Sequence, residues 1–126
     1  MNIGIIGTGN LGYGLGKAWA SKGHAVFFGA HDPDKALVLG HSIGVMASGG
    51  TIAQAAKFGS VVLLAVRWDA VPCALKAAGS LCGKVILDCT NPITNDWTHL
   101  AGGVACSGGE RIAELVGEVI GCSAWY

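Results

Sequence analysis

The stretch Ile3-Gly-Ile-Ile-Gly-Thr-Gly-Asn-Leu-Gly-Tyr13 decides the fold of this chain. Its apolar run, Ile3 to Ile6, is typical of a buried strand and leads directly into Gly7-x-Gly9-x-x-Gly12, where a helical pattern begins. In this motif the first glycine permits a tight turn, the second lets a pyrophosphate approach the backbone, and the third brings helix and strand together. The order of strand, turn and helix therefore predicts a dinucleotide-binding site, because the free N–H groups at a helix N-terminus attract phosphates.

Apolar runs alternate with helical patterns along the rest of the chain. Strands are predicted at residues 2–6, 25–29, 43–46, 60–66 and 84–89, and helices at 10–22, 32–39, 51–58, 68–78 and 110–116. Residues 119–125 fit either a sixth strand or a frayed end. The alternation predicts an α/β fold, a Rossmann-type doubly wound parallel sheet of strand order 3-2-1-4-5, in a single domain spanning residues 1–126.

The amino-acid composition indicates that much of the surface of the secondary-structure elements is buried. Hydrophobic residues make up 52% and charged residues only 13% of the 126 residues, against a usual charged fraction of about 25%. Either most elements are covered on both sides, as in a parallel sheet, or another subunit covers part of the surface. The net charge is zero and no basic stripe is present, which argues against nucleic acid as a partner.

The lengths of the apolar runs also bear on where in the cell the protein is expected to lie. The longest strongly apolar run, Val61 to Val66, is far shorter than the roughly 20 residues of a membrane span, and the first residues already form a strand rather than a signal peptide. We therefore expect a cytoplasmic protein with no membrane partner. Five cysteines without a CxxC pair predict reduced thiols that serve as small core residues, with Cys89 as a redox thiol beside the cofactor as the alternative. The four histidines lack ligand spacing, so no metal is predicted.

The residues after the second strand bear on which dinucleotide is bound. NAD-selective sites usually carry Asp or Glu there to bind the ribose 2′-hydroxyl, but this place falls to Ala30. A carboxylate about 4 Å from the 2′-phosphate of NADP would cost roughly 4 kcal/mol at an effective dielectric of 20. His31 and Lys35 follow and can donate protons to a phosphate, although either could be an ordinary surface residue. Asp32 is interpreted as the N-cap of its own helix. We therefore favour NADP(H) over NAD(H).

The chain resembles a known family, the NADP oxidoreductases that use the deazaflavin coenzyme F420, and their bacterial relatives. The resemblance covers residues 1–116, whereas residues 117–126 form an atypically short C-terminal part. It rests on four blocks: Ile3-Gly-Ile-Ile-Gly-Thr-Gly-Asn-Leu-Gly12, Gly29-Ala-His-Asp-Pro-Asp-Lys35, Val62-Leu-Leu-Ala-Val-Arg-Trp68 and Gly83-Lys-Val-Ile-Leu-Asp-Cys-Thr-Asn-Pro92. The last block is more specific than the glycine motif, which many dehydrogenases share.

The resemblance implies direct hydride transfer between NADP(H) and a flavin-like or deazaflavin ring, without a protein acid or base, and no catalytic residue is assigned. By position, the resemblance implies that the pyrophosphate is held by Thr8, Gly9, Asn10 and Leu11, the 2′-phosphate by Lys35, and the nicotinamide end by Ala65, Val66 and Asn91. The other candidate cofactor-binding residues come from their places in the chain: Gly7 and Gly12 of the glycine turn, Ala30 and His31 after the second strand, Arg67 after the fourth, and Pro92 after the fifth.

Three positions depart from the family pattern. The family usually has Ser-Arg in place of Ala30-His31, and a neutral histidine lacks the bidentate phosphate contact of arginine. It usually has proline in place of Arg67, which could anchor an acidic substrate or simply cover a loop. Family members also continue further, through a part that helps to form the second-substrate pocket and the dimer.

Three functions stay open at the level of the sequence. The first is an NADP(H)-dependent oxidoreductase of this family, expected to be a homodimer because an apolar edge would be left exposed. The second is a truncated NADP(H)-binding module without turnover. The third is a non-catalytic interaction domain whose glycine turn binds nothing.

Overall fold

The computed structural model describes residues 1–93, 96, 98 and 107–120, and it contains a five-stranded parallel sheet of order β3-β2-β1-β4-β5. The predicted fold class and strand order are confirmed. The elements in chain order are β1 (Asn2–Ile6), α1 (Asn10–Ser21), β2 (Ala25–Ala30), α2 (Pro33–Ile43), β3 (Ala47–Thr51), α3 (Ile52–Phe58), β4 (Val61–Leu64), a 3-10 turn (Trp68–Ala70), α4 (Val71–Ala78), β5 (Val85–Asp88) and α5 (Gly108–Ile120).

Helices cover both faces of the sheet, so the core has two layers. Side chains alternate along β1: Ile5 packs on the side of α1 and α2, whereas Ile6 packs on the side of α3, α4 and α5. Leu63 and Leu64 of β4 divide in the same way, and all four side chains are at most 1% exposed. This two-sided burial explains the high apolar fraction of the sequence.

The sequence predicts Leu11, Leu15, Ala18 and Trp19 as the apolar stripe of α1, but Leu11 does not follow this prediction. Leu11 is 53% exposed, while the buried positions of this helix are Gly12 and Gly16. A Cβ at Gly16 would lie 2.5 Å from Cζ of Phe28 and 2.9 Å from Cδ1 of Ile5. The helix therefore sits directly on the sheet through its glycines, which justifies their helix-propensity cost of about 1 kcal/mol each.

The predicted third strand was wrong. Residues 43–46 do not form it: α2 runs to Ile43, and β3 is Ala47–Thr51, with the sequence Ala-Ser-Gly-Gly-Thr. This strand has little intrinsic preference for extended structure, but its pairing with β2 and its contact with α2 override that preference. A Cβ at Gly49 would collide with the carbonyl of Ala36, so only glycine allows α2 to approach this closely.

Side-chain caps fix the starts of α3 and α5, two helices on the same face of the sheet. Thr51 and Gln54 form a reciprocal capping box at α3, with Thr51 Oγ1 accepting from the Gln54 N–H at 3.1 Å. Ser107 and Glu110 exchange the same pair of bonds at α5, each at 3.2 Å. The sequence signal Ser-x-x-Glu was available for the second box.

The cysteine prediction needs correction. Cys73 is a free but exposed thiol, and Cys82 is exposed and disulfide-bonded, so neither is the reduced core residue that was expected. Near the end of the chain, residues 119 and 120 belong to α5 rather than to a sixth strand, and residues 121–126 lie outside the described part.

Candidate functional site

The turn after β1 is built around Gly7, as the motif predicts. Its N–H donates to the carbonyl of Gly29 at 2.9 Å, which joins the turn to the end of β2. Its φ of 121° is disfavoured for residues with a side chain, and a Cβ there would collide with the carbonyl of Ala65. The conformation therefore requires glycine and places the start of α1 where the ends of β1, β2 and β4 meet.

The N-terminus of α1 is open. Gly9 is its N-cap residue, no side chain caps the helix, and no acidic residue lies in its first turn. A Cβ at Gly9 would meet nothing within 4 Å, whereas one at Gly12 would lie 3.1 Å from the Gly7 carbonyl oxygen. The first-turn N–H groups of a helix have no intrahelical partners and carry a partial positive charge, so this rim suits an anionic group such as a diphosphate.

A cleft of about 420 Å³ lies on the β2 side of this rim. Within it, Asp32 is occupied as the N-cap of α2, accepting from the Lys35 N–H at 3.2 Å, as predicted. Lys35 and His31 are exposed and line the same cleft, so the structure brings together the two side chains proposed for a 2′-phosphate. The lining residues are Gly7, Thr8, Gly9, Gly29, Ala30, His31, Asp32, Lys35, Ile52, Ala65, Val66, Arg67, Ala70 and Ala74.

A second cleft, of about 570 Å³, lies on the β5 side of the rim. It shares Gly9 and the segment Ala65–Arg67 with the first cleft, so the two cavities adjoin along the start of α1 and the end of β4. Its lining residues are Gly9, Asn10, Leu11, Ala65, Val66, Arg67, Trp68, Cys89, Asn91 and Ile93.

Pro92 and Gly12 are predicted site residues that line neither cleft. Gly12 is buried against the turn, where it allows the helix to approach. The Pro92 ring lies against the first residue of α5, since a Cβ at Gly108 would lie 3.1 Å from its Cδ and Cγ. Gly12 therefore supports the turn, whereas Pro92 packs against α5 outside both clefts.

The polar segment after β5 forms a local turn at the second cleft. The Asp88 carboxylate accepts from the Thr90 N–H at 2.8 Å and from its hydroxyl at 2.6 Å. Burial, and then the nearby Asp88 carboxylate, raise the pKa of the Cys89 thiol. A raised pKa keeps the thiol protonated near neutral pH, which disfavours the alternative of a reactive redox cysteine.

Sequence reasoning missed several lining residues. Ile52, Ala70 and Ala74 enter the first cleft from α3, the 3-10 turn and α4, and Ile93 enters the second from beyond β5. They carry no motif, because only the packing of distant segments brings them to the site. Among the residues that the structure describes, no cluster of three His, Cys, Asp or Glu side chains could hold a metal ion, and no helix could span a membrane.

The sheet order and the glycine turn define a Rossmann-type α/β domain with an open anion-binding rim. The profile of the family described as "NADP oxidoreductase coenzyme F420-dependent" matches residues 2–92. The chain belongs to this family. A comparison with curated protein sequences finds no match.

Solved structures share the fold. A protein from Arthrobacter, assigned as an F420-dependent NADP reductase, is 28% identical, with a TM-score of 0.82 over 94% of this chain and 59% of its own. A hypothetical protein from Sinorhizobium meliloti is 20% identical, with a TM-score of 0.80 over 92% of this chain and 57% of its own. A reductive aminase from Aspergillus terreus, solved with NADPH, is 24% identical, with a TM-score of 0.67 over 94% and 37%. The chain therefore spans about three fifths or less of the length of these proteins.

Proposed function

We propose that this chain binds NADP(H) and takes part in hydride transfer between NADP(H) and a flavin-like or deazaflavin acceptor such as coenzyme F420. The observation that carries the proposal is the N-terminus of α1, which begins after the N-cap residue Gly9 and has no side-chain cap. This helix N-terminus lies between the two adjoining clefts. Membership of the family supports the choice of NADP(H) and of the acceptor class.

The first cleft suits the adenosine half of the cofactor. In the proposal, the turn from Thr8 to Leu11 holds the pyrophosphate through backbone N–H groups, and His31 and Lys35 hold the 2′-phosphate. Asp32 lines the same cleft, and its carboxylate is held toward α2 as the helix N-cap. The lack of a free carboxylate at Ala30 removes the repulsion that an NAD-type site would impose on the 2′-phosphate.

The second cleft suits the nicotinamide end and the acceptor. Ala65 and Val66 supply a small apolar wall, and Asn91 supplies an amide that can donate and accept hydrogen bonds. When bound, NADPH supplies the hydride, and the acceptor ring takes a proton from solvent to complete the two-electron reduction. The role of the chain is then to hold the two rings in contact and to limit the access of water, so no side-chain acid or base is needed.

A second candidate is an NADP(H)-binding module without turnover. The alignment covers only 59% of the Arthrobacter structure, so groups that complete the acceptor site could lie on segments without a counterpart here. A non-catalytic interaction domain is the third candidate. The open rim favours the first two, because an interaction domain has no need of an uncapped helix N-terminus.

We also propose that the chain forms a homodimer in the cytoplasm. Val85 and Leu87 lie on the edge strand β5 and are 40% and 39% exposed. Exposed apolar side chains on an edge strand favour association. Light scattering at micromolar concentration tests this, since a monomer would contradict it.

The proposed function is tested in two steps. NADPH fluorescence is first titrated with the purified protein, and a saturable change supports cofactor binding. NADPH oxidation is then followed with F420 or FMN as the acceptor. Binding with turnover supports the oxidoreductase, binding without turnover supports the module, and no binding refutes both.

A further inference from the structure

A histidine side chain lines the first cleft among groups of constant charge. Besides His31, the described residues of this cleft bring three ionisable side chains, those of Asp32, Lys35 and Arg67. Histidine ordinarily gains or loses its proton between about pH 5 and pH 8, whereas carboxylate, ammonium and guanidinium groups ordinarily keep their charge over that range. Resting on the proposed function, we propose that His31 makes the preference for NADP(H) over NAD(H) depend on pH, while Lys35 supplies a part that does not change with pH.

The backbone fixes where His31 enters the cleft. His31 is the single residue between Ala30, the last residue of β2, and Asp32, the N-cap residue of α2. Two residues earlier, the Gly29 carbonyl accepts from the Gly7 N–H at 2.9 Å, which ties the end of β2 to the glycine turn. The backbone therefore presents the exposed imidazole at the wall of the cleft, close to the proposed pyrophosphate site.

The start of α2 brings one carboxylate and one ammonium group to the same cleft. The Asp32 carboxylate accepts from the Lys35 N–H at 3.2 Å, which holds it toward the helix. Asp34, in the first turn of α2, is exposed but is not among the lining residues. Because the charges of Asp32 and Lys35 are opposite, protonation of His31 gives this wall of the cleft a net positive charge, which favours a 2′-phosphate.

The other walls of the cleft bring no further group that ordinarily titrates in this range. Arg67, after β4, lies with its Nε 3.6 Å from Asp69 Oδ1, in an ion pair of two exposed side chains. The helices α3 and α4 contribute the apolar residues Ile52 and Ala74. Among the described residues that line the cleft, a change of charge between about pH 8 and pH 6 is therefore expected at His31.

The nucleotide also titrates, and its own contribution has to be separated from that of His31. A phosphate monoester such as the 2′-phosphate changes from a dianion to a monoanion near pH 6, and NAD⁺ lacks this group. As the pH falls from about 8.5 to about 6.5, protonation of His31 strengthens NADP⁺ binding, whereas protonation of the phosphate weakens it. A variant with a neutral side chain at position 31 keeps only the second effect, so it isolates the contribution of the imidazole.

The test is the ratio of the NAD⁺ and NADP⁺ dissociation constants, measured by calorimetry across this pH range. In the wild-type protein the ratio should rise roughly 3- to 10-fold as the pH falls, a size between that of a screened surface pair and that of a buried charge-assisted bond. In His31→Gln, which stays neutral, the ratio should stay level or fall. His31→Arg is the matched control, because its constant charge should give a high ratio that does not rise.

Proton uptake gives a second readout that needs no turnover. Calorimetry in two buffers of different protonation enthalpy counts the protons taken up as the nucleotide binds at about pH 7. The wild-type protein should take up more protons than His31→Gln when NADP⁺ binds, and the same number when NAD⁺ binds. Equal uptake with NADP⁺, or the same pH course of the ratio in both proteins, would overturn the inference alone. NADPH fluorescence that the protein leaves unchanged at every pH would instead refute the proposed function, and the inference with it.

Discussion

Replacing Gly9 by alanine separates cofactor binding from folding. Gly9 has φ of −75° and ψ of 179°, which alanine adopts without strain, and a Cβ there would meet no atom within 4 Å. The folded protein therefore has room for the methyl group. The proposed pyrophosphate does not, since it must approach the backbone at this place.

The size of the effect follows from the contacts that the methyl group would displace. A hydrogen bond from a backbone N–H to a charged group contributes about 1.5–3 kcal/mol, so losing one such bond weakens binding by roughly 10- to 150-fold. The stability change is smaller, about 0.5–1 kcal/mol, because alanine is a poorer N-cap than glycine.

The assay is NADPH fluorescence titration of the wild-type protein and two variants, with urea unfolding measured on the same samples. Gly14→Ala is the control: it lies in the same helix, is exposed, and has open space for a Cβ. It should gain about 0.5–1 kcal/mol of stability and keep the wild-type affinity. If Gly9→Ala binds NADPH as tightly as Gly14→Ala does, the pyrophosphate is not held at this rim and the reasoning is refuted.

Four further outcomes are expected. Lys35→Ala should weaken NADP⁺ binding roughly 5- to 20-fold and leave NAD⁺ binding unchanged, because only the 2′-phosphate loses a contact, and calorimetry with both nucleotides measures this. Gly16→Val should lower the free energy of unfolding by about 1–3 kcal/mol, since its side chain would overlap a buried ring; an unchanged urea midpoint would contradict the close packing of α1. Thr51→Ala should cost about 0.5–2 kcal/mol through the lost capping box, whereas the wild-type midpoint would show that the cap contributes nothing. Cys89 should react with iodoacetamide more slowly than the exposed Cys73 at about pH 8, and the difference should shrink as the pH rises through the raised pKa of Cys89. Mass spectrometry of the labelled peptides measures both rates, and faster labelling of Cys89 would contradict this prediction.

The glycine turn and the helix caps of the site could be predicted from the sequence because each is formed by residues close together in the chain. The turn at Gly7, the open N-cap at Gly9 and the Asp32 cap each depend on a few consecutive residues with distinctive backbone preferences. Their positions in the sheet then follow from the alternation of strands and helices, which leaves few possible topologies.

The misplaced elements depend on contacts between distant segments. The sequence predicts the third strand at residues 43–46 rather than at β3, because β3 contains two adjacent glycines and its extended form comes from pairing with β2 and from the close approach of α2 at Gly49. Leu11 was assigned to the buried face of α1 because of its apolar side chain, yet the helix approaches the sheet through its glycines and leaves Leu11 at the second cleft. Periodicity alone does not reveal which small residues form a close contact.

A crystal structure of the protein with NADP⁺ tests the central claim most directly. We predict density for the pyrophosphate within hydrogen-bond distance of the N–H groups between Thr8 and Leu11, with the 2′-phosphate toward His31 and Lys35. Crystals that stay empty at saturating NADP⁺, or a nucleotide bound away from the α1 N-terminus, would contradict the account.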